Sequence, residues 1–411
     1  MCKTNRDDAA EATRTATHNV HISDRKVKVF ASEVEESTLK QARELRELAR
    51  MPFVWPHVAL MPDAHTGLGS SVGTVFGTKR AVIPAAVGVD IGCGMIGVLT
   101  QFTKDDLQGK DLKDLRQAIE DNIPLSPGNY NSWQLRDSAN DRCRELNALA
   151  EELGVDLSHS PKWRQQLGSL GGGNHFIELC LDEQDRVWMF LHSGSRGVGN
   201  KIAKKHIKIA QRLCEQWWIP LPNKDLAYLV QGTPEFKAYL QDLKWAQRFA
   251  FLNREEMMDR FADCLEEFMG QELVELERIN CHHNYTVKEK HFGHEVWLTR
   301  KGAVNAAEGR KALIPGSMGT ASYVVEGKGY PGGLMSAPHG AGRRFSRTEA
   351  RRRFTVDDLA ARMEGIEYRP GEEFIDEIPD AYKDIDVVMR DAEPLVTVLH
   401  RLRQVMNVKG T

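Results

Sequence analysis

Apolar and polar positions recur with different periods along the chain, and each period predicts a type of element. An amphipathic helix is expected over residues 33–50. Its apolar face consists of Leu39, Ala42, Leu45 and Leu48. From residue 51 to residue 100 the chain becomes rich in Gly, Val and Ile, which predicts buried strands joined by tight glycine turns. Helical patterns return over residues 104–122 and 133–153, separated by the loop PLSPGNYNS.

The second half of the chain again places glycine-rich strand patterns before helical ones. Residues 167–181 form a second glycine-dense block, and the apolar run VWMFL leads into the glycine-rich turn HSGSRGVGN. Residues 201–270 are predicted to be mostly helical, with three core anchors, Trp217, Trp218 and Trp245. The pattern then predicts polar strands and loops over residues 280–345, an Arg-rich helix over residues 347–364, and a final helix over residues 390–404.

The glycine-rich blocks are spread through the chain, and all of them carry polar residues. No internal repeat or low-complexity linker separates them. This arrangement favours one integrated α+β domain with a shared site, over residues 26–411, rather than separate modules. Residues 1–25 are polar and carry no recognisable motif, so they are interpreted as a flexible lead-in.

Composition narrows the class of protein. The chain has 411 residues, of which 41% are hydrophobic and 27% charged, which excludes overall disorder and a small disulfide-stapled scaffold. Its net charge is −3, so any nucleic acid must bind through a local basic patch. The seven cysteines are scattered, which predicts a cytoplasmic protein without a disulfide framework. The sequence also has no apolar run long enough to span a membrane and no secretory leader, so no membrane partner is expected.

The run VGVDIGCGM places two metal-ligand types, Asp90 and Cys93, three residues apart in an apolar, glycine-bracketed segment. A carboxylate buried there is unfavourable unless it is paired or bound to a metal. The alternative interpretation is a turn aspartate beside an inert buried cysteine.

Three further segments offer imidazoles. His175 lies in GGGNHFIE, and His192 ends an apolar strand before the anion-binding type of turn SGSRG, in which Arg196 is a candidate phosphate clamp. His282 and His283 are adjacent on a predicted strand, so at most one of them is expected to reach a given metal. Each imidazole taken alone also fits a satisfied core histidine.

His339 lies in the glycine-framed run APHGAGRR and is followed by the strongest basic cluster of the chain. That cluster consists of Arg343, Arg344, Arg347, Arg351, Arg352 and Arg353. A solvated helix face is the usual fate of such a charge run, but its position directly after the histidine favours phosphate binding. The small-residue loop PGSMGTAS over residues 315–322 is a second candidate phosphate or nucleotide cradle.

Together these residues suit a site with two metal ions and a phosphate substrate. The chain has no Walker loop, no GxSxG and no HExxH. Thiolate and imidazole ligands taken alone favour zinc over manganese.

The motifs together resemble the RtcB family of RNA ligases. The matching stretches follow the family order along nearly the whole chain and are MPDAHTGLG, IPAAVGVDIGCGM, GSLGGGNHFIE, LHSGSRGVGN, INCHHNY, RKGA, IPGSMGTASY, PHGAGR and the terminal VKG. The resemblance implies mixed β-sheets around a central metal and nucleotide cleft, with peripheral helices. It also implies a GTP- and Mn²⁺-dependent ligase that joins an RNA 3′-phosphate or 2′,3′-cyclic phosphate end to a 5′-hydroxyl end.

In this resemblance His339 is the nucleophile that becomes guanylylated before the guanylyl group passes to the RNA 3′-phosphate. One Mn²⁺ ion would be held by Asp90, Cys93 and His175, and the other by Cys93, His192 and His283. Zinc is then expected to bind the same ligands and inhibit. The guanylate contacts implied are Asn174, His175, Glu178, His283, Asn284, Pro315, Gly316, Ser317, Met318, Ser322, His339, Gly340, Ala341, Gly342 and Lys409.

RNA ends are expected to meet Asp63, His65, Arg196 and Arg343, with Asp63 positioning or deprotonating the 5′-hydroxyl. The resemblance further implies a role in RNA repair or tRNA splicing and an archease-like activating protein. Two other functions compete with this one. A binuclear metallo-phosphoesterase or nuclease would need the metals but not His339, and a non-catalytic RNA-binding protein would need the arginines but not a complete metal set.

Overall fold

The computed structural model of the protein describes residues 27–48, 53–132 and 135–411, with the backbone alone for residues 46–48. The predicted lead-in over residues 1–25 lies outside the described residues. The strands of the described chain are β1 Val27–Val29, β2 Val54–His65, β3 Val72–Thr78, β4 Ala81–Val82, β5 Gly94–Thr103, β6 Phe176–Leu181, β7 Arg186–Ser193, β8 Leu229–Val230, β9 Glu275–His282, β10 Asn284–His291, β11 His294–Lys301, β12 Ala303–Asn305, β13 Lys311–Ile314, β14 Ser322–Gly327, β15 Ser336–Pro338 and β16 Val396–Lys409.

Helices connect and cover these strands. The α-helices of the described chain are α1 Glu36–Leu48, α2 Pro84–Val87, α3 Leu112–Asn122, α4 Asp137–Leu153, α5 Trp163–Gln166, α6 Arg196–Gln216, α7 Pro234–Met269, α8 Arg347–Arg353, α9 Val356–Arg362 and α10 Ile385–Asp391. Short 3-10 helices lie at Lys104–Leu107, Lys224–Leu226, Pro331–Gly333, Glu372–Glu377 and Pro379–Ala381.

Two sheets form the centre of the molecule, and the smaller one is mixed because β1 pairs with β2 in parallel, whereas the strand pairs of the larger one are all antiparallel. The larger has seven strands in the order β13-β14-β16-β6-β7-β5-β9, and the smaller has five in the order β1-β2-β3-β11-β10. Inward residues of both sheets share one apolar core, to which β5 contributes Met95 and β11 contributes Leu298. The alternation along β5 sends Ile96 and Val98 to the opposite face, as a strand requires.

Helices cover the outer faces of the two sheets. Ile119 of α3 and Phe261 of α7 pack with Ile96 against the seven-stranded sheet. Leu39 and Ala42 of α1 pack on the outer face of the five-stranded sheet. The observed architecture is therefore the α+β class that the sequence predicts, with helices outside and sheets inside.

Helix α7 is the longest helix of the described chain, and its ends are specified locally. The Thr233 hydroxyl accepts a hydrogen bond from the Phe236 N–H, and Pro234 occupies the first helical position. Gly270 ends the helix in the left-handed conformation, with φ 74°. The second half of the helix packs behind the large sheet, and its first half packs against helices α4, α5 and α6.

The predicted final helix over residues 390–404 is wrong. Helix α10 ends at Asp391, and β16 occupies the rest of that segment. β16 pairs with β14 on one side and β6 on the other, so both of its edges are satisfied inside the sheet. Its exposed residues Arg401 and Arg403 alternate with the buried Leu402 and Gln404, which is the period of a strand.

Two other predictions need correction. Trp245 is buried as predicted, but Trp217 and Trp218 are exposed by 47% and 91% and are not core anchors. They follow α6, at its carboxyl end, where the chain has left the apolar cluster. The predicted helix over residues 347–364 is two helices, because Thr355 caps the start of α9 with a reciprocal bond to Asp358.

No helix in the described ranges is long and apolar enough to cross a membrane. All six cysteines in those ranges are free and buried. The predicted cytoplasmic location stays a prediction.

Candidate active site

Four neighbouring strands of the large sheet end beside one another and carry the predicted metal ligands. Cys93 directly precedes β5, His192 is the penultimate residue of β7, His283 follows β9, and His175 precedes β6. The strands are antiparallel neighbours, and Gly94 pairs with both Ser193 and His282. The start of one strand therefore lies next to the end of the next. Residues that are far apart in the sequence thus meet at one edge of the sheet.

The Cys93 thiol lies at the centre of this group. Its Sγ is 3.5 Å from His175 Nε2 and 3.2 Å from His192 Nε2. His192 Nε2 is 2.9 Å from His283 Nε2, and His175 Nε2 is 3.1 Å from Asp90 Oδ2. His282, on the opposite side of the strand, bonds to the Gly92 carbonyl and to Arg254 instead.

Backbone carbonyls fix the tautomers of two of these imidazoles. His175 Nδ1 donates to the Leu170 carbonyl at 2.9 Å, and His192 Nδ1 donates to the Asn174 carbonyl at 3.1 Å. Because a carbonyl only accepts, each Nδ1 carries the proton, and Nε2 is the nitrogen that a metal ion would meet. Both Nε2 atoms face Cys93. Such outer hydrogen bonds are the usual way in which a metal-binding histidine is oriented.

The ligand atoms fall into two groups that share the thiol. Asp90, Cys93 and His175 form one, and Cys93, His192 and His283 form the other, with the atoms of each group within 4.8 Å of one another. Burial raises the pKa of the Cys93 thiol, and the Asp90 carboxylate raises it further. Divalent cations favour the deprotonated thiolate and neutral imidazoles. This donor set therefore fits two cations that share one sulfur ligand.

The glycine after Ser193 leaves room for the acidic ligand. A Cβ at Gly194 would collide with the Asp90 carboxylate. Burial alone would raise the pKa of Asp90, but the hydrogen bond and charge of His175 outweigh it and lower that pKa to about 2. The carboxylate is thus ionised and available over the neutral range.

His339 lies next to the metal ligands and is held by a buried acid. It follows β15, and its Nδ1 is 2.6 Å from Asp63 Oδ2, which also accepts the His339 backbone N–H at 3.1 Å. Asp63 is fully buried. The His339 and His283 rings have their centroids 4.5 Å apart. With Nδ1 protonated toward Asp63, the other ring nitrogen keeps its lone pair, as a nucleophile requires.

A cavity of about 240 Å³ opens beside His339. It brings together many of the predicted contact residues, namely His65, Asn174, His192, Pro315, Gly316, Ser317, Met318, His339, Gly340, Ala341, Gly342, Arg343 and Lys409. Gly342 has φ 74°, and a Cβ there would collide with the Asp63 carbonyl, so the loop after His339 requires glycine at this position. The site is thus a group of candidate metal ligands, called the metal group below, with an adjoining small-residue pocket. The metal group consists of Asp90, Cys93, His175, His192 and His283.

Several predicted contact residues lie around this cavity rather than on its wall. His175 and His283 belong to the metal group, and the Asn284 side chain bridges the Asp90 carbonyl and the Gly302 N–H. Ser322 is buried at the start of β14. Glu178 lies on β6 on the same face as Phe176, a wall residue, and accepts a bond from Asn407 Nδ2 at 2.8 Å.

Lys409 reaches the cavity through an ion pair that sequence reasoning missed. Its Nζ donates to Glu377 Oε2 at 2.8 Å and to the Gly173 carbonyl at 3.0 Å. Glu377 and Tyr382 line the cavity, and so does Arg347, which pairs with Glu377. Glu377 is buried, which would raise its pKa, but Lys409 and Arg347 lower it below its usual value. The only sign of Glu377 in the sequence was the acidic composition of its segment.

The predicted RNA-end residues have different surroundings. Arg196 NH1 lies 3.3 Å from His175 Nδ1, beside the metal group. His65 Nδ1 donates to the Asp63 carbonyl at 2.9 Å, and burial lowers its pKa to about 4. Arg343 donates to the Phe345 and Asp376 carbonyls and to the Tyr382 hydroxyl. Asp63 contacts His339, and its expected role toward a 5′-hydroxyl stays a prediction.

Two residues of α7 support the ligand-bearing segments and were not singled out from the sequence. Asn253 bonds the backbone at Gly168, Ser169 and Gly194, and Arg254 bonds the Gly92 and Ser193 carbonyls at 2.9 and 3.0 Å. Both side chains are fully buried. They therefore tie the segments before Cys93 and after His192 to one rigid helix.

Comparison with known proteins identifies the family of this chain. The family model described as tRNA-splicing ligase RtcB matches residues 44–410. The chain belongs to the RtcB family. It is 45% identical over 386 residues to the RNA-splicing ligase RtcB of Escherichia coli K12, covering 90% of this chain and 93% of that protein. It is 30% identical to the tRNA-splicing ligase RtcB of Thermococcus kodakarensis, covering 93% of this chain and 94% of that one.

The resemblance drawn from the motifs is therefore confirmed. The enzyme class that it predicts, an RNA ligase, is the class for which these RtcB relatives are named. A second Escherichia coli relative, the RNA-splicing ligase RtcB1 of strain ATCC 25922, is 46% identical over a similar span. The RtcB match includes every strand end that carries a ligand.

Proposed function

We propose that this RtcB protein is a GTP- and Mn²⁺-dependent RNA ligase. It joins an RNA 3′-phosphate, or a 2′,3′-cyclic phosphate after hydrolysis, to a 5′-hydroxyl end. The observation that carries the proposal is His339, held by the buried Asp63 and packed against His283 of a metal group that shares Cys93. In a binuclear phosphoesterase the nucleophile would instead be a metal-activated water.

His339 is the proposed nucleophile toward the α-phosphate of GTP. Asp63 accepts the Nδ1 proton and so directs the lone pair of the other nitrogen into the cavity. A P–N bond forms as pyrophosphate leaves. The guanylyl group then passes to the RNA 3′-phosphate, and the attack of the 5′-hydroxyl on that phosphate releases GMP. Asp63 stabilises the cationic character that the ring gains in the first step.

The metal sites are proposed to follow the two groups of ligand atoms. Asp90, Cys93 and His175 would hold one Mn²⁺ ion, and Cys93, His192 and His283 the other. Bound there, the ions would neutralise phosphate charge beside His339. Sulfur and imidazole donors also suit zinc, so Zn²⁺ is expected to compete for these ligands and inhibit.

The guanylate is proposed to occupy the cavity beside His339. Lys409, fixed by Glu377, presents an ammonium group at its wall, and the segment from Pro315 to Met318 supplies small side chains and backbone groups. Gln404 of β16 supports this segment by donating to the Ser317 carbonyl at 2.9 Å. Arg196, His65 and Arg343 remain the proposed contacts for RNA ends.

The substrate is therefore RNA, with a role in RNA repair or tRNA splicing in the cytoplasm. An archease-like activating protein belongs to the same proposal. The test is an end-joining assay with a labelled RNA that ends in a 3′-phosphate and a second RNA with a 5′-hydroxyl, in the presence of GTP and Mn²⁺. The proposal predicts a joined product and no joining when the second RNA carries a 5′-phosphate.

The same assay separates the competing function. A binuclear phosphoesterase would release inorganic phosphate from the 3′ end and leave the two RNAs unjoined, with or without GTP. That outcome from a folded, metal-loaded protein would contradict the ligase proposal.

A further inference from the structure

Helix α6 carries a one-signed charge pattern in a chain whose net charge is −3. The helix starts at Arg196 beside the metal group and runs to Gln216. Every charged residue that faces outward between Arg196 and Glu215 is basic. These residues are Lys201, Lys204, Lys205, Lys208 and Arg212. The spacings of three and four residues put them on one face.

Two of these cations already have partners. Lys201 Nζ donates to the His159 carbonyl at 2.9 Å, and Lys205 Nζ pairs with Asp242 Oδ2 at 3.1 Å. Lys204, Lys208 and Arg212 are exposed and form no ion pair with any part of the chain that the structure describes. They lie at successive intervals of four residues, so their uncompensated charges form a stripe along the helix.

The stripe ends at two exposed indoles. Trp217 is exposed by 47% and Trp218 by 91%. Trp218 also has φ 52°, a conformation that bulky side chains rarely adopt. A tryptophan normally gains its stabilisation from burial, which Trp218 does not obtain within the described chain.

The other end of the stripe continues toward the active site. Arg196, at the start of α6, contacts His175. Tyr130 is exposed by 42%, and Lys162 Nζ lies 5.9 Å from the centre of its ring. From Arg196 to Trp218 is about 33 Å at about 1.5 Å per helical residue.

Cations beside exposed aromatic rings are the chemistry that binds single-stranded nucleic acid. Phosphates meet the cations, and bases stack on the rings. We propose that the exposed face of α6 binds the single-stranded RNA that adjoins the reacting end. Lys204, Lys208 and Arg212 contact its phosphates, and Trp218 stacks on a base. This inference rests on the proposed function, and it names a surface outside the catalytic cavity.

The first test measures RNA binding by fluorescence anisotropy. The probe is a 3′-phosphate RNA labelled at its blocked 5′ end, twelve nucleotides long, which exceeds the helix even at about 3.4 Å per nucleotide. The triple variant K204E/K208E/R212E is expected to bind it at least tenfold more weakly than the unaltered protein. The slope of the logarithm of the binding constant against the logarithm of the salt concentration is expected to become shallower by about two. Each phosphate contact to a single strand contributes about 0.7 to that slope.

A four-nucleotide 3′-phosphate RNA of about 14 Å cannot reach from Arg196 to the indoles. Its affinity is expected to fall less than that of the long probe. The matched control is K104E/K113E/K290E, which changes the net charge equally at three exposed lysines on other elements. Equal losses in the two triple variants would overturn the proposal, because only bulk charge would then matter.

The indole is tested by a pair of single substitutions. Trp218→Ala is expected to weaken binding of the long probe by about three- to tenfold, and Trp218→Phe to retain most of it. Unchanged affinity of Trp218→Ala for the long probe would contradict the stacking of Trp218 on a base. Sedimentation of the RNA-free protein tests the other occupant, a second copy of the chain. A dimer abolished by Trp218→Ala would overturn the RNA assignment.

These results are independent of the catalytic proposal. Suppose that the unaltered protein joins RNA ends while the K204E/K208E/R212E variant binds long RNA normally. In that case the assignment of RNA binding to α6 is wrong and the ligase function stands. If the unaltered protein joins no ends, the proposed function fails.

Discussion

Asp63 and His339 form the contact on which the chemistry of the site depends most directly. One carboxylate oxygen of Asp63 holds both the backbone N–H and the Nδ1 of His339. The acid is fully buried, so its geometry is fixed by the surrounding strands rather than by solvent. The sequence motif indicated that both residues matter, but their pairing across 276 positions appears only in the fold.

Asp63→Asn tests whether this carboxylate sets the tautomer of His339. An amide can turn its NH₂ group toward Nδ1 and favour the wrong tautomer, so guanylylation is expected to fall by on the order of 10²–10⁴-fold. The measurement is the rate of labelling by GTP, with bound Mn²⁺ determined in parallel. Asp242→Asn is a matched control, because Asp242 holds His206 in a buried pair away from the site. Unimpaired labelling in Asp63→Asn would contradict the assigned role.

Glu178 gives a pH-dependent prediction for the metal-free, nucleotide-free protein. Burial raises its pKa to about 8 from a usual value of 4.5, although Lys409 and Asn407 oppose the shift. Between these values the folded chain holds a proton that the unfolded chain has released. This stabilisation is complete below about pH 4.5 and is lost as pH rises toward 8, at up to about 1.4 kcal/mol per unit.

The substitution Glu178→Gln keeps a neutral side chain at every pH and is expected to flatten that decline. Urea unfolding at several pH values between 5 and 8 measures it. Glu151→Gln, at an exposed position, serves as the control and should unfold with the pH dependence of the unaltered protein. An identical pH dependence in Glu178→Gln would show that Glu178 is ionised in the fold.

Sequence reasoning identified the chemical residues better than their supports. Asp90, Cys93, His175 and His192 were recognisable because each is a ligand type bracketed by glycine or ending an apolar run, whereas only the fold separates His283 from His282. Glu377 and Gln404 carry no such mark, and their contacts with Lys409 and the Ser317 carbonyl form only when β16 enters the sheet. Such pairings depend on tertiary structure and leave no local pattern.

At the level of elements, helix α7 fixes the spacing between the ligand-bearing strands. Arg254 bonds the Gly92 and Ser193 carbonyls and also Asn280 Oδ1, so it links the ends of β5, β7 and β9. Burial lowers its pKa to about 10, which leaves it charged at neutral pH. One guanidinium thereby holds three strand ends together.

Arg254→Met is expected to weaken Mn²⁺ binding by at least tenfold, because supports of metal ligands commonly contribute 10- to 100-fold to affinity. Calorimetric titration of the metal-free protein with Mn²⁺ measures the change. Arg116→Met is the control, since Arg116 is a buried arginine that pairs with Glu120 and Glu367 away from the metal group. Equal losses of affinity in both variants would show that the effect is one of general stability.

The elements also show where pattern reasoning fails. Residues 396–404 of β16 were predicted to belong to a final helix over residues 390–404. In the fold this segment is a central strand with two partners, and that pairing overrides local preference. The α+β class was predictable because helical and strand patterns both recur throughout the chain.

At the scale of the molecule, the two sheets and their helices form a support whose functional groups gather at strand ends. Mn²⁺ bound there is expected to stabilise the whole fold, since a ligand that binds only the folded state adds about 2.7 kcal/mol at one hundred times its Kd. Thermal unfolding with and without Mn²⁺ measures this as an increase in Tm. Cys93→Ala removes the shared ligand and should lose most of that increase. The same increase in Cys93→Ala would contradict a shared thiol.

The central claim is that His339 becomes covalently guanylylated. Incubation of the metal-loaded protein with GTP labelled at the α-phosphate, followed by denaturing electrophoresis and peptide mapping, tests it most directly. The account predicts an acid-labile label on the peptide that contains His339, and none in His339→Ala with its metal content unchanged. Labelling of His339→Ala to the same extent as the unaltered protein, or of a different residue, would contradict it.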